Sequence, residues 1–224
     1  MDCSRPIKTS DMKTEQEVAT GAWAQIRRLL AVGDRDTSVL LLSDCCDDVG
    51  KLAFKVALEE AAESKRVLVA DLWSESGFGT VVSRCTTHCD DEVKRLLRRI
   101  VFTSSKSAFE DIMTASVCRD VARVASDGPL FDVVVTTSMN SGAVRDMLTG
   151  VSRPQGCTLV AVAGDHLRVG TRGSVSQRVD AIVRAAREGG NVVTLSIIKN
   201  RFGPHGTFRM VDDPDGICLV DEGV

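Results

Sequence analysis

Short unbroken apolar runs alternate along this chain with stretches whose apolar residues recur three and four positions apart. That exchange of periods predicts strands alternating with helices, the arrangement of a mainly parallel α/β sheet. Ser38-Val39-Leu40-Leu41-Leu42, Arg66-Val67-Leu68-Val69-Ala70, Ile100-Val101-Phe102, Phe131 to Val135 and Thr158 to Ala163 read as strands, most of them covered on both faces. Between them Phe54, Ala57, Leu58, Ala61 and Ala62 form one helical stripe, with Glu59, Glu60 and Glu63 off it. Val93, Leu96, Leu97 and Ile100 make a second stripe, and Val144, Met147, Leu148 and Val151 another. Ser107 and Glu110 have capping-box spacing ahead of Phe109, Ile112, Met113 and Val117. A helix is also predicted from Glu15 to Leu30, ended by Gly33.

After Ala163 the rhythm changes to strand-like segments at 178–185, 191–199, 207–211 and 217–220. Gly189-Gly190, Gly203-Pro204 and Pro214-Asp215-Gly216 supply turns between them, so the parallel core is expected to finish in antiparallel strands.

A chain of 224 residues with 43% hydrophobic and 26% charged residues reads as one globular domain. Residues 1–14 are expected as a flexible polar tail and 15–224 as the core domain. A net charge of −3 excludes a globally basic nucleic-acid binder but permits a local basic groove. Eight cysteines in a chain this long do not follow a small secreted framework, so reduced thiols are expected. No apolar run approaches the roughly 20 residues that cross a bilayer.

The strand ending at Leu42 leads into Cys45-Cys46-Asp47-Asp48-Val49-Gly50-Lys51-Leu52, placed where a phosphate-binding loop follows its strand. Such a loop, G-x-x-x-x-G-K-[ST], wraps phosphates in backbone N–H groups, reaches them with its lysine and holds Mg²⁺ with its hydroxyl. Gly50 and Lys51 are kept, whereas Cys45 replaces the first glycine and Leu52 the hydroxyl. Asp44, Asp47 and Asp48 add carboxylates that repel a polyphosphate. Lys51 reads either as a residual nucleotide contact or as a surface lysine at a helix start.

The order of these pieces resembles the RecA-like ATPase core over about residues 18–222. Thr20-Gly21, Leu29-Leu30 and Gly33 look like the segment that precedes the loop in RecA and RadA types. Phe131-Asp132-Val133-Val134-Val135-Thr136-Thr137-Ser138 matches the Walker B strand, and Gly173 to Asp180 with Ile198-Lys199-Asn200-Arg201-Phe202-Gly203-Pro204 is similar to a late RadA-type strand. Thr207-Phe208-Arg209-Met210 and Asp215 to Leu219 are similar to the end of strand-exchange recombinase paralogues. Thr137 stands where Walker B ends in aspartate, and the water-activating glutamate is matched most nearly by Glu75. A hydroxyl does not supply the charge that stabilises phosphoryl transfer.

The resemblance therefore implies a pseudo-ATPase with no required cofactor, ATP and Mg²⁺ binding being left open. It implies a recombinase paralogue in homologous recombination that pairs with a second RecA-fold subunit. Together they would bind or remodel a recombinase filament on single-stranded DNA. By the same resemblance Lys199 and Arg201 act in trans on a neighbour's nucleotide; as plain residues they blunt a hairpin edge. Gly164 to Gly173 occupies the place of a DNA-binding loop, with Arg168, Arg172 and Arg178 as candidates to meet phosphates, though without an aromatic for base stacking. The location implied is nuclear in a eukaryote and cytoplasmic otherwise. The alternative is a RadA-like DNA-dependent ATPase or helicase subunit with an atypical loop. A third reading, a MinD-like or polysaccharide-kinase-like assembly protein, lacks an amphipathic membrane helix to support it.

Two smaller motifs have plain explanations. Cys85, His88 and Cys89 supply only part of a zinc ligand set, so ordinary thiols and a loop histidine are expected. Phe54-Lys55-Val56-Ala57 matches an F-x-x-A intersubunit pattern, but on a helix after the loop Phe54 is expected in the core.

Overall fold

The computed structural model describes residues 21–30, 37–88, 91–121, 130–150, 156–164, 175–212 and 219–222. The expected tail at 1–14 and the start of the expected first helix lie outside these residues. Parallel strands β1 (Ser38–Ser43), β2 (Val67–Asp71), β3 (Ile100–Thr103), β4 (Val133–Ser138) and β5 (Thr158–Gly164) form where the apolar runs predict them. Strand β6 (Ala181–Gly189) runs parallel to β1, with Val39 to Ser43 opposite Ala181 to Ala185. Strands β7 (Val192–Asn200), β8 (Thr207–Asp212) and β9 (Leu219–Asp221) then continue antiparallel. The sheet has nine strands in the order β3-β2-β4-β5-β1-β6-β7-β8-β9.

Helices cover both faces, because every side chain of β1, β4 and β5 is buried and neither face of those strands tolerates water. Val39 and Leu41 of β1 and Val67 and Val69 of β2 point to one face. There they meet α1 (Ala22–Leu29), α2 (Cys46–Ala62) and α3 (Phe78–His88). Leu40, Leu42, Leu68 and Ala70 point to the other, towards α5 (Lys106–Val121), α6 (Ser141–Gly150) and α7 (Val175–Arg178). Helix α4 (Asp91–Leu97) leads into β3 and buries none of its residues fully. Phe54 is fully buried in the first of these cores, as expected.

Several local expectations change. The segment expected as a strand from Arg178 begins as the short helix α7, and β6 starts at Ala181. Helix α5 is capped by Ser105, whose Oγ accepts the Ala108 N–H at 3.3 Å, not by Ser107. Glu60 is not on a solvated face: its side chain is 0% exposed. Helix α1 lies over that side of α2, and Trp23 Nε1 and Lys65 Nζ donate to its carboxylate at 2.7 Å each, with Arg27 at 3.6 Å. A carboxylate enters a core when cations and donors from other elements meet it there.

Candidate functional site: the carboxyl-end rim of the sheet

Open α/β sheets take ligands at the carboxyl ends of their parallel strands. At that rim the link from β1 to α2 is only Asp44-Cys45, because helix begins at Cys46. The Ser43 hydroxyl donates to the Cys45 carbonyl at 2.7 Å and accepts the Cys45 N–H at 3.2 Å. The Asp44 N–H reaches the Ala185 carbonyl at 3.2 Å, and the Asp44 carboxylate accepts the Arg187 N–H at 3.3 Å. Cys46 to Val49, the residues that would encircle a phosphate, are wound into the first helical turn. Asp47 and Asp48 in that turn offset the positive end of the helix dipole with the chain's own charge.

Gly50 serves a different purpose from the one its motif suggests. Its N–H donates to the Ser76 carbonyl at 2.9 Å. A Cβ here would lie 2.4 Å from the Ser76 carbonyl oxygen and 2.5 Å from the Phe78 nitrogen. Glycine is required because the loop between β2 and α3 presses on this turn.

Lys51 does not face β1 or β5. Its ammonium turns toward the antiparallel strands and meets Asp212 Oδ1 at the end of β8, 2.8 Å away. Asp212 Oδ2 accepts Arg187 Nη2 of β6 at 3.0 Å. Arg187 also grips the Asp48 carboxylate with two nitrogens, Nε to Oδ2 at 3.1 Å and Nη2 to Oδ1. The Asp48 side chain is 1% exposed, so this guanidinium is what lets a carboxylate sit inside the first turn. The hydrogen bonds it donates to Asp48 hold the guanidinium pKa of Arg187 above its already high usual value. The chain Lys51–Asp212–Arg187–Asp48 balances two positive and two negative charges.

The other half of the rim is closed by different means. Trp73 leans across β5: a Cβ on Gly164 would fall 3.3 Å from the indole Cη2 and Cζ3 and 3.4 Å from Cys46 Sγ. Thr137 of β4 donates to Asp71 Oδ1 at 2.5 Å, and Ser76 Oγ donates to the same oxygen at 2.7 Å. Asp71, at the end of β2 and opposite Thr137 in register, is thus the carboxylate nearest the Walker B position. Glu75 is exposed on the following loop. Beside Asp71 a cleft of about 340 Å³ opens toward the sheet edge, floored by Val69, Phe78, Val82 and Phe102.

Lys199, Arg201 and Arg178 lie at the opposite rim. Lys199 and Arg201 lie at the far end of β7, since Ala181 at the start of β6 pairs with Asn200. Lys199 Nζ donates to the carbonyls of Ser176 and Val179, closing the end of α7. Burial and the neighbouring Arg201 charge lower the pKa of that ammonium. Arg201 Nη1 meets Asp180 Oδ1 at 2.8 Å, while Asp180 Oδ2 accepts the Ser38 N–H and hydroxyl at 2.9 and 2.8 Å. Arg201 remains about half exposed, at 51%. Arg178 is exposed and lines a second cleft with Ser38 and Phe109. Arg168 and Arg172 lie outside the described residues. Cys85 is buried in the core, and Cys89 also lies outside those residues.

Strand β5 lies between β1 and β4, and β6 continues the sheet into antiparallel strands. The fold is RecA-like. A DnaB-like replicative helicase, solved in a study of its interactions with primase, matches with a TM-score of 0.58 at 13% identity over 89% of this chain. This chain spans 60% of that helicase chain. The RadB recombinase matches with a TM-score of 0.54 at 14% identity, covering 88% of this chain and 96% of its own. A further solved ATPase domain matches with a TM-score of 0.53 at 15% identity, over 84% of this chain and 86% of its own. By sequence, no family model and no curated protein matches.

A nucleotide with Mg²⁺, which this fold implies, does not fit the residues present. The lysine is committed to Asp212, the encircling residues are helical, Leu52 supplies no hydroxyl and Thr137 no acid in the expected places, and Asp48 occupies the first turn. Sequence reading missed Arg187, Asp212, Asp71 and Trp73. Only Asp71, a carboxylate ending an apolar strand, left a local signal.

Proposed function

We propose that this chain is a non-catalytic RecA-fold subunit, a paralogue of the strand-exchange recombinase acting in homologous recombination. It pairs with another RecA-fold subunit, and the pair binds or remodels a recombinase filament on single-stranded DNA. The observation that carries the non-catalytic part is Lys51 ending on Asp212, beside a first turn already filled by Asp48 and Arg187. The likeness to a recombinase fold supports the setting; the tail motifs around Lys199 to Pro204 and Thr207 to Met210 support the partner class.

In this reading no ATP or Mg²⁺ is needed for the chain to fold, and its contribution is surface. Arg201, half exposed beside the Lys199 corner, is the side chain offered to a neighbouring subunit's nucleotide. Arg178, with Arg168 and Arg172, is offered to DNA phosphates. The chain works in the nucleus of a eukaryote or the cytoplasm of a prokaryote. Among the described residues no helix is long and apolar enough to cross a membrane.

A second reading, a DNA-dependent ATPase or helicase subunit, is favoured by one observation: Asp71 stands at the strand end beside Thr137 with its carboxylate held by two hydroxyls. Affinity capture of the tagged chain, with mass spectrometry, tests the first reading. Co-purification of a RecA-fold subunit or recombinase is expected, and a monomer indifferent to both overturns it. DNA-stimulated phosphate release by the purified chain, lost in Asp71→Asn, establishes the second reading instead.

A further inference from the structure

Two cationic groups from separate elements, Lys51 on α2 and Arg187 on β6, converge on the two oxygens of one carboxylate at 2.8 and 3.0 Å. Asp212 is the bridge that lets them lie together, and Asp48 supplies the second negative charge. The side chains are largely shielded, Lys51 at 16%, Asp212 at 12%, Arg187 at 24% and Asp48 at 1% exposure, so their interactions are stronger than in bulk water. A phosphate group makes the same demand, two or more oxygens shared between an ammonium and a guanidinium. All four residues stand at the rim where sheets of this kind take ligands.

We infer that Asp212 and Asp48 are built-in counter-anions for Lys51 and Arg187, an autoinhibitory contact that denies this cation pair to an external polyphosphate. The inference rests on the non-catalytic reading and explains how that state is maintained. The lock also joins α2 to the antiparallel strands, so the sheet holds its outer half without a bound anion. Neutralising both acids leaves the two cationic side chains without an ion-paired carboxylate and turns the rim into an anion site. Lys51 and Arg187 then repel each other until an oxyanion replaces the lost carboxylates.

The test uses the full chain and inorganic tripolyphosphate without magnesium, followed by calorimetric titration and thermal unfolding. Wild type is expected to show no shift in melting temperature. Asp48→Asn combined with Asp212→Asn, nearly isosteric changes, is expected to bind tripolyphosphate at least tenfold more tightly than wild type. That gain disappears when Lys51→Met is added. Asp212→Asn alone, which keeps the Asp48–Arg187 contact, is expected to gain a smaller part of the response. A variant that unfolds without anion is expected to be restored by it, since binding to the folded state raises stability. A folded double variant with no gain, or an unfolded one that tripolyphosphate does not restore, overturns the lock. Wild type binding as tightly as the variant overturns it too. Magnesium-dependent ATP turnover by wild type, measured in parallel, instead removes the non-catalytic reading.

Discussion

The ammonium of Lys51 lies 2.8 Å from Asp212, joining the second turn of α2 to the end of β8 across 161 residues of sequence. A lysine in this place would ordinarily be judged by nucleotide turnover. Here Lys51→Met is expected to leave turnover and nucleotide affinity at the wild-type level. It should lower unfolding free energy by about 1.5–3 kcal/mol, the range for a charge-assisted hydrogen bond. Urea denaturation beside a phosphate-release assay measures both.

Arg187→Met is expected to cost more, about 3–5 kcal/mol, because it strands a buried carboxylate. Asp48, at 1% exposure, has no water to replace the guanidinium. Combining Arg187→Met with Asp48→Leu should recover much of that loss. A double-mutant cycle by chemical denaturation checks it.

Gly50→Ala should destabilise by about 1–3 kcal/mol through overpacking, since the atoms in the way are backbone and not flexible side-chain ends. The added Cβ meets Ser76 and Phe78 at 2.4 and 2.5 Å. Amide exchange at Phe78 and through the start of α3 should quicken in the variant.

How much of this was legible from the chain depended on range. Strands β1 and β5 announced themselves because a strand buried on both faces has to be apolar throughout. The antiparallel finish followed from glycine and proline punctuation. The defects at Cys45, Leu52 and Thr137 were equally plain, being departures from a local motif. What the chain concealed was the company kept by its acids. Asp48 read only as a carboxylate that repels a polyphosphate, yet its partner Arg187 stands 139 residues away. Glu60 looked solvated for the same reason, its burial depending on Trp23 of another helix. Periodicity reports which side of a helix is apolar, and says nothing about which distant cation will meet an acid there.

Glu59 gives the fold a pH dependence of definite sign. Burial pushes its carboxyl above the ordinary 4.5, Lys55 pulls it back and Asp221 pushes it up further. The folded chain therefore keeps this proton to higher pH than the unfolded chain does. The resulting stability is fully present below pH ~4.5 and is lost as pH rises through the raised value. Glu59→Gln keeps an acceptor for the Ala24 N–H, so its melting temperature relative to wild type should climb as pH passes through that window. A constant difference from acid to neutral pH would refute the assignment.

Trp73 offers an optical check. The chain has two tryptophans, and Trp23 is buried with its indole nitrogen bonded to Glu60. In Trp23→Phe the remaining emission comes from the indole lying across Gly164. Adding ATP with magnesium is expected to leave its intensity and wavelength unchanged. A saturable change would place a nucleotide against Trp73.

The two-residue link from β1 into α2 has a consequence for any attempt to build a phosphate-binding loop at this place. Restoring glycine at 45, threonine at 52 and aspartate at 137 would repair the spelling and leave the shape. A whole turn of hydrogen-bonded backbone, anchored by a guanidinium from a neighbouring strand, would still stand where an opening is needed. Such rebuilding therefore begins with uncoiling, and letter-by-letter substitution stalls before it.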